Sequence, residues 1–115
     1  MKRISIYVGV GLFLGITLMG TENVKGDESV QGKKLYSNKC QICHGVKGDG
    51  NGPAASALSP RPANFTDPKF WQGDVDKKIT DTIENGHGMM PAFDLKPGEI
   101  KDLVDYLTQT FKPTR

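Results

Sequence analysis

The chain has 115 residues, enough for one domain, with 37% hydrophobic and 24% charged residues. Fifteen basic and thirteen acidic residues give a formal charge of +2; three of the bases and one of the acids precede Asp27, so residues 27–115 hold twelve of each and are formally neutral. The positive excess therefore belongs to the N-terminus, and no nucleic-acid footprint is implied.

Lys2 and Arg3 precede Ile4–Gly20, a charge-free and mostly apolar run, and the more polar Thr21–Gly26 follows. This is the pattern of an export leader. No A-x-A site is present; the small-residue cleavage candidates are Val24-Lys25-Gly26, cutting before Asp27, or a cut after Gly20. Seventeen residues is at the short end of the roughly 17–25 needed to cross a bilayer, and Gly9, Gly11 and Gly15 weaken the run as a helix. The expectation is a cleaved signal over residues 1–26, with an uncleaved membrane anchor as the alternative. No cysteine lies near its end, so a lipid-modified start is not expected. Either way residues 27–115 form an exported domain, and one of that size has a marginal core.

Asp27 to Lys39 reads as a helix, with Asp27 and Glu28 in the first turn and Ser29 as N-cap. Gly32, Tyr36 and Cys40 fall at spacings of four on one face. A glycine inside a helix costs about 1 kcal/mol against alanine, and close approach of a second helix is the natural reason for it.

Cys40-Gln41-Ile42-Cys43-His44 comes next. Two thiols three apart, with a histidine directly after the second, are the attachment signature of a c-type haem. Each thiol can add across one vinyl group, and the adjacent imidazole can reach the iron. A zinc site needs four ligands, and the chain offers no further cysteine and only one other histidine, His87. A thioredoxin-like pair would sit beside a βαβ pattern, and no strand pattern is evident nearby. With both cysteines in the motif, no structural disulfide is expected.

Gly45 to Ala63 is loop, dense in glycine and proline, with room for one turn of helix at Ala54–Leu58. A loop of that length in a small domain is expected to wrap something. Asp67-Pro68-Lys69-Phe70-Trp71 reads as a short helix with Asp67 as cap and Pro68 at the first helical position, and Phe70 and Trp71 as wall residues. Asp74 or Asp76 caps a helix running to Asn85, with Ile79 and Ile83 on its buried side and Asn85-Gly86 as its stop. A loop through His87, Met89, Met90 and Pro91 leads to a last helix opened by Pro97 and Gly98 and ended by Pro113. Ile100, Leu103, Val104, Leu107 and Phe111 give it the clearest amphipathic pattern in the chain. The domain is all-α.

Residues 28–112 resemble the class I monohaem c-type cytochromes, in the style of the small bacterial cytochrome c family. The resemblance rests on Gly32 and Tyr36 before C-x-x-C-H, on Leu103 and Tyr106 in the last helix, and on Met90-Pro91 in the loop before it. It implies the cytochrome c fold, with the N- and C-terminal helices crossing at Gly32, and one covalent haem c. It further implies Cys40 and Cys43 as thioether anchors, His44 as proximal iron ligand and Met90 as distal ligand, since the family's ligand directly precedes the proline. Met89 and His87 are the rivals to Met90. A proline carbonyl after the motif is implied as acceptor from His44; Pro53 is the first candidate, with Pro60 and Pro62 as alternatives. The function implied is one-electron transfer between respiratory partners outside the cytoplasmic membrane. Its partners would be redox proteins bound transiently at the loops Ser59–Ala63 and Gly86–Met90, with no nucleic acid. The protein would be periplasmic and not an enzyme, with membrane contact only if the leader is uncleaved. A membrane-tethered cytochrome subunit of an oxidoreductase or oxidase complex is the alternative. A haem sensor or peroxidase-like enzyme is a third reading, and it needs an open sixth position on the iron.

Overall fold

Helices carry all the regular structure among the described residues, which in this computed structural model are residues 25–115 together with Gly9, Gly11, Gly15 and Gly20. The expected export leader otherwise lies outside them. Helix α1 (Lys25–Leu35) passes without a break into a π-helical turn (Tyr36–Cys40) and the short α2 (Gln41–His44). After a long loop with single 3-10 turns at Ala55–Ala57 and Pro68–Trp71 come α3 (Val75–Asn85) and α4 (Pro97–Phe111). No helix among the described residues is long and apolar enough to cross a membrane.

The helix ends follow their capping chemistry. Asp67 accepts from the Lys69 N–H (2.9 Å) and Asp74 from the Lys77 N–H (3.1 Å), so Asp74 rather than Asp76 caps α3. Glu99 accepts from the Lys96 N–H (2.8 Å) at the start of α4. The N-terminal helix departs from the expectation. It begins at Lys25, so Ser29 lies inside it and caps nothing. It also leaves α geometry at Tyr36, where the Gln41 N–H bonds the Tyr36 carbonyl five residues back. Both features depend on what the helix packs against, which local spacing does not record.

What it packs against is α4. A Cβ built on Gly32 would overlap the carbonyl oxygen of Asp102 and lie 2.6 Å from Tyr106 Cβ, so the two helices cross backbone to backbone. One turn on, the Tyr36 ring packs on Tyr106 (centroids 5.6 Å apart) and Phe111 (5.1 Å). Val75, Ile79 and Ile83 of α3 and Ile100, Leu103, Val104, Leu107 and Phe111 of α4 join Tyr36 and Phe65 in one core. The amphipathic pattern of α4 is thus the face it buries.

Gly32→Val is expected to cost on the order of 1–3 kcal/mol by overpacking the crossing, because a backbone carbonyl cannot turn aside as a side chain can. Gly98→Ala, where a Cβ meets only open space, should leave the thermal melt unchanged or raise it. Equal melting temperatures for Gly32→Val and the wild type would contradict the crossing.

Candidate functional site

The segment Gln41–His44 ends at Gly45, whose φ of +85° turns the chain back along α2. The returning loop supplies the donors that the last carbonyls of a helix lack. Gly50 N–H donates to His44 O (2.8 Å), Gly52 N–H to Cys43 O (3.0 Å) and Ala54 N–H to Ile42 O (3.0 Å). A Cβ at Gly52 would overlap the Ile42 carbonyl, so this approach needs glycine. The long loop wraps the motif and fixes its backbone.

His44 is held on two further sides. Its Nδ1 lies 3.1 Å from the carbonyl oxygen of Ala63, and its ring stacks on Phe65 with centroids 4.7 Å apart and planes 16° apart. A carbonyl only accepts, so Nδ1 carries the hydrogen and the lone pair sits on Nε2. Burial holds the imidazole below its ordinary pKa and therefore neutral, partly opposed by the Ala63 hydrogen bond. Before haem is attached, burial also pushes the Cys40 thiol up to about 11, against the pull of Lys39.

Ala63 corrects the expectation for Pro53. Pro53 is exposed and lies off the cavity wall, and the Pro62 carbonyl faces Gly50, where a Cβ would meet it at 2.6 Å. The residue after the Pro60-Arg61-Pro62 run is the one that reaches His44.

Cys40, Cys43 and His44 face a cavity of about 600 Å³ whose wall is mostly apolar: Leu58, Ala63, Phe65, Phe70, Ile79, Ile83, Phe93, Leu103 and Leu107 among others. Phe70 lines it, whereas Trp71 stands behind the wall and donates from Nε1 to the Phe65 carbonyl (2.7 Å). His87, Met89 and Met90 are on the same wall. His87 and Met90 exchange both backbone hydrogen bonds (3.0 and 2.9 Å), and Phe93 N–H ties the loop to Ile83 O (2.8 Å). Met90 is half-buried and packs against the core, whereas Met89 is 58% exposed and His87 is exposed. The expected donors are therefore together; Pro53 is not with them.

A family profile described as Cytochrome c matches residues 29–111. The chain belongs to the cytochrome c family. It is a c-type cytochrome that binds one haem c covalently. The cavity fits that group: its volume is in the range of about 300–1,000 Å³ usual for cofactor sites, and it presents two thiols, an imidazole and a thioether. Among relatives, the cbb3-type cytochrome c oxidase subunit FixP of Bradyrhizobium diazoefficiens is 31% identical over 94 residues, covering 79% of this chain and 30% of that protein. A cytochrome c-553-like protein of Synechocystis is 29% identical over 85 residues, 73% of this chain and 70% of that one. A chain of the reducing HAO-like protein complex of Kuenenia stuttgartiensis superposes with a TM-score of 0.60 at 26% identity, covering 70% of this chain and 41% of its own. The c-type cytochrome SorU from Sinorhizobium meliloti gives a TM-score of 0.51 at 22% identity, covering 76% of this chain and 95% of that one, and shows the fold alone. The chain thus spans about a third of the length of FixP and about two fifths of the Kuenenia chain.

The residues that spacing did not single out are Ala63 and Phe65. Ala63 acts through a carbonyl, which every residue has; its one signal is the rigid Pro-x-Pro run before it.

Proposed function

We propose that the protein is a one-electron carrier of an exported respiratory pathway, with haem c anchored by Cys40 and Cys43 and ligated by His44 and Met90. The observation that carries this reading is the convergence of both thiols, a neutral imidazole and a core-packed methionine on one apolar cavity. Haem c bound there supplies a one-electron iron couple, and methionine ligation raises its potential. The Ala63 carbonyl fixes the tautomer of His44 and leaves Nε2 free for the metal. The paired backbone bonds between His87 and Met90 hold the Met90 backbone while the Met90-Pro91 step keeps it extended. Held by both His44 and Met90, the iron would offer no open site to a substrate or O2, which argues against catalysis and sensing. Its partners are redox proteins bound transiently, through a small interface.

A second reading is a cytochrome subunit of a larger complex held at the membrane by a retained leader. The likeness to an oxidase subunit and to a chain of a multi-protein complex favours it. The N-terminus of the mature protein separates the two. A start near Asp27 in a protein that washes off membranes supports the free carrier.

The ligand assignment is tested by substitution. Met90→Ala should abolish the weak near-infrared iron–sulfur band of the oxidised protein and lower its potential, whereas Met89→Ala and His87→Ala should do neither. If either of those removes the band and Met90→Ala keeps it, the assignment is wrong.

The cavity wall includes Lys39, Arg61 and Lys78 and, among the described residues, no carboxylate. Three bases on the wall of a domain whose protein part is formally neutral, before the two haem propionates are counted, favour partners that present acidic groups. Oxidation of the reduced protein by hexacyanoferrate(III) should slow as ionic strength rises, and Arg61→Glu should weaken that dependence. A rate independent of salt would remove the preference.

A further inference from the structure

We propose that the hydroxyl of Tyr36 is a positioning group for His44, acting from the cavity wall on the backbone that carries the imidazole. This rests on the reading of His44 as an iron ligand.

Tyr36 is the largest fully buried side chain, 1% exposed, and its hydroxyl donates to the Gly45 carbonyl at 2.6 Å. Gly45 directly follows His44. Nine residues of straight α-helix would separate Tyr36 and Gly45 by about 13.5 Å along the axis, farther than a tyrosine side chain extends. The chain closes that distance by leaving α geometry: the π-helical turn runs Tyr36–Cys40, Cys40 has φ −114°, and Gly45 turns at φ +85°. The hydrogen bond therefore spans the bend that aims Cys40, Cys43 and His44 into the cavity. A π-helical turn at a functional site is a recurring association, and here the Tyr36 hydroxyl ties its two sides.

The same carbonyl collects the loop. Gly45 O also accepts from Gly48 N–H (3.1 Å), and Gly48 O accepts from Phe65 N–H (2.7 Å). The Phe65 ring then stacks on His44. A continuous set of contacts thus runs from the Tyr36 hydroxyl through Gly45, Gly48 and Phe65 to the face of the imidazole, while the peptide link between His44 and Gly45 reaches it directly. The partner of the hydroxyl is a carbonyl, which cannot take up a proton, so the group is suited to holding position and not to relaying charge. Loosening the node should weaken the donation from His44 Nδ1–H to Ala63. A less basic imidazole favours the reduced iron.

The test uses the full haem-loaded protein. Tyr36→Phe keeps the buried ring and removes one hydroxyl. Tyr106→Phe is the control, since Tyr106 packs on the Tyr36 ring in the same interface and has no part in the node. In a redox buffer poised at the wild-type midpoint, Tyr36→Phe should shift the reduced-to-oxidised ratio at least threefold toward reduced. At 59 mV per decade for one electron this is about 28 mV. Amide exchange at Gly48 and Gly50 should quicken at least tenfold, and Tyr106→Phe should change neither quantity. A wild-type potential in Tyr36→Phe, with faster exchange or a lower melt, would make the hydroxyl structural only and overturn the proposal. So would an equal shift in Tyr106→Phe. Absence of the near-infrared band from the wild type would instead overturn the reading of Met90 and leave this comparison standing, because it reads the His44 side.

Discussion

A helix with almost no apolar stripe can dock only by bringing its backbone close, and α1 does so at Gly32, against the carbonyl of Asp102. Dispersion between the two backbones replaces the missing side-chain contacts. That contact fixes the height and rotation of α1 on α4, and Tyr36 then enters the core one turn later. Everything that follows in the chain, from the π-helical turn to Gln41–His44, inherits its placement from this crossing. A side chain at residue 32 would act on the site without touching it.

From the crossing onward the site is shaped chiefly by main-chain hydrogen bonds. Gly50, Gly52 and Ala54 donate to the carbonyls of His44, Cys43 and Ile42. A stretch of nearly twenty residues with little regular structure would be a burden in a small domain if it served only as a connection. Here its polar backbone groups cap α2, and its far end delivers the Ala63 carbonyl and the Phe65 ring to the two open sides of His44. The loop is a large part of the site.

Features written in side-chain chemistry were legible in the sequence. The spacing of Cys40, Cys43 and His44, the apolar period of α4 and the cap at Asp67 each need particular residue types at particular offsets, and the cap of α3 was narrowed to Asp74 or Asp76. Features written in the backbone were not. The acceptor for His44 was expected at Pro53 and is Ala63, because a carbonyl carries no residue signature. The change from α to π bonding at Tyr36 leaves the same sequence with a different register, chosen by α4 and the returning loop. The proposal of Met90 over His87 and Met89 likewise draws on burial, since all three share the wall and the Met90-Pro91 step gives only an order of preference.

The charge of the cavity mouth follows from the same packing. An apolar wall that opens to solvent is best covered by side chains with a long hydrocarbon stem and a charged end. Lys78 does this, with Nζ 4.1 Å from the centroid of the Phe70 ring and bonded to the Phe70 carbonyl at 2.6 Å. Lys39 does it more loosely over Phe93, at 5.9 Å. Aspartate and glutamate are too short to reach over such a wall without bringing their charge against it, which costs desolvation. The twelve acids and twelve bases of residues 27–115 cancel in number, yet three of the bases and none of the acids lie on the cavity wall among the described residues. Covering an apolar pocket thus favours basic side chains around the face proposed here for electron exchange.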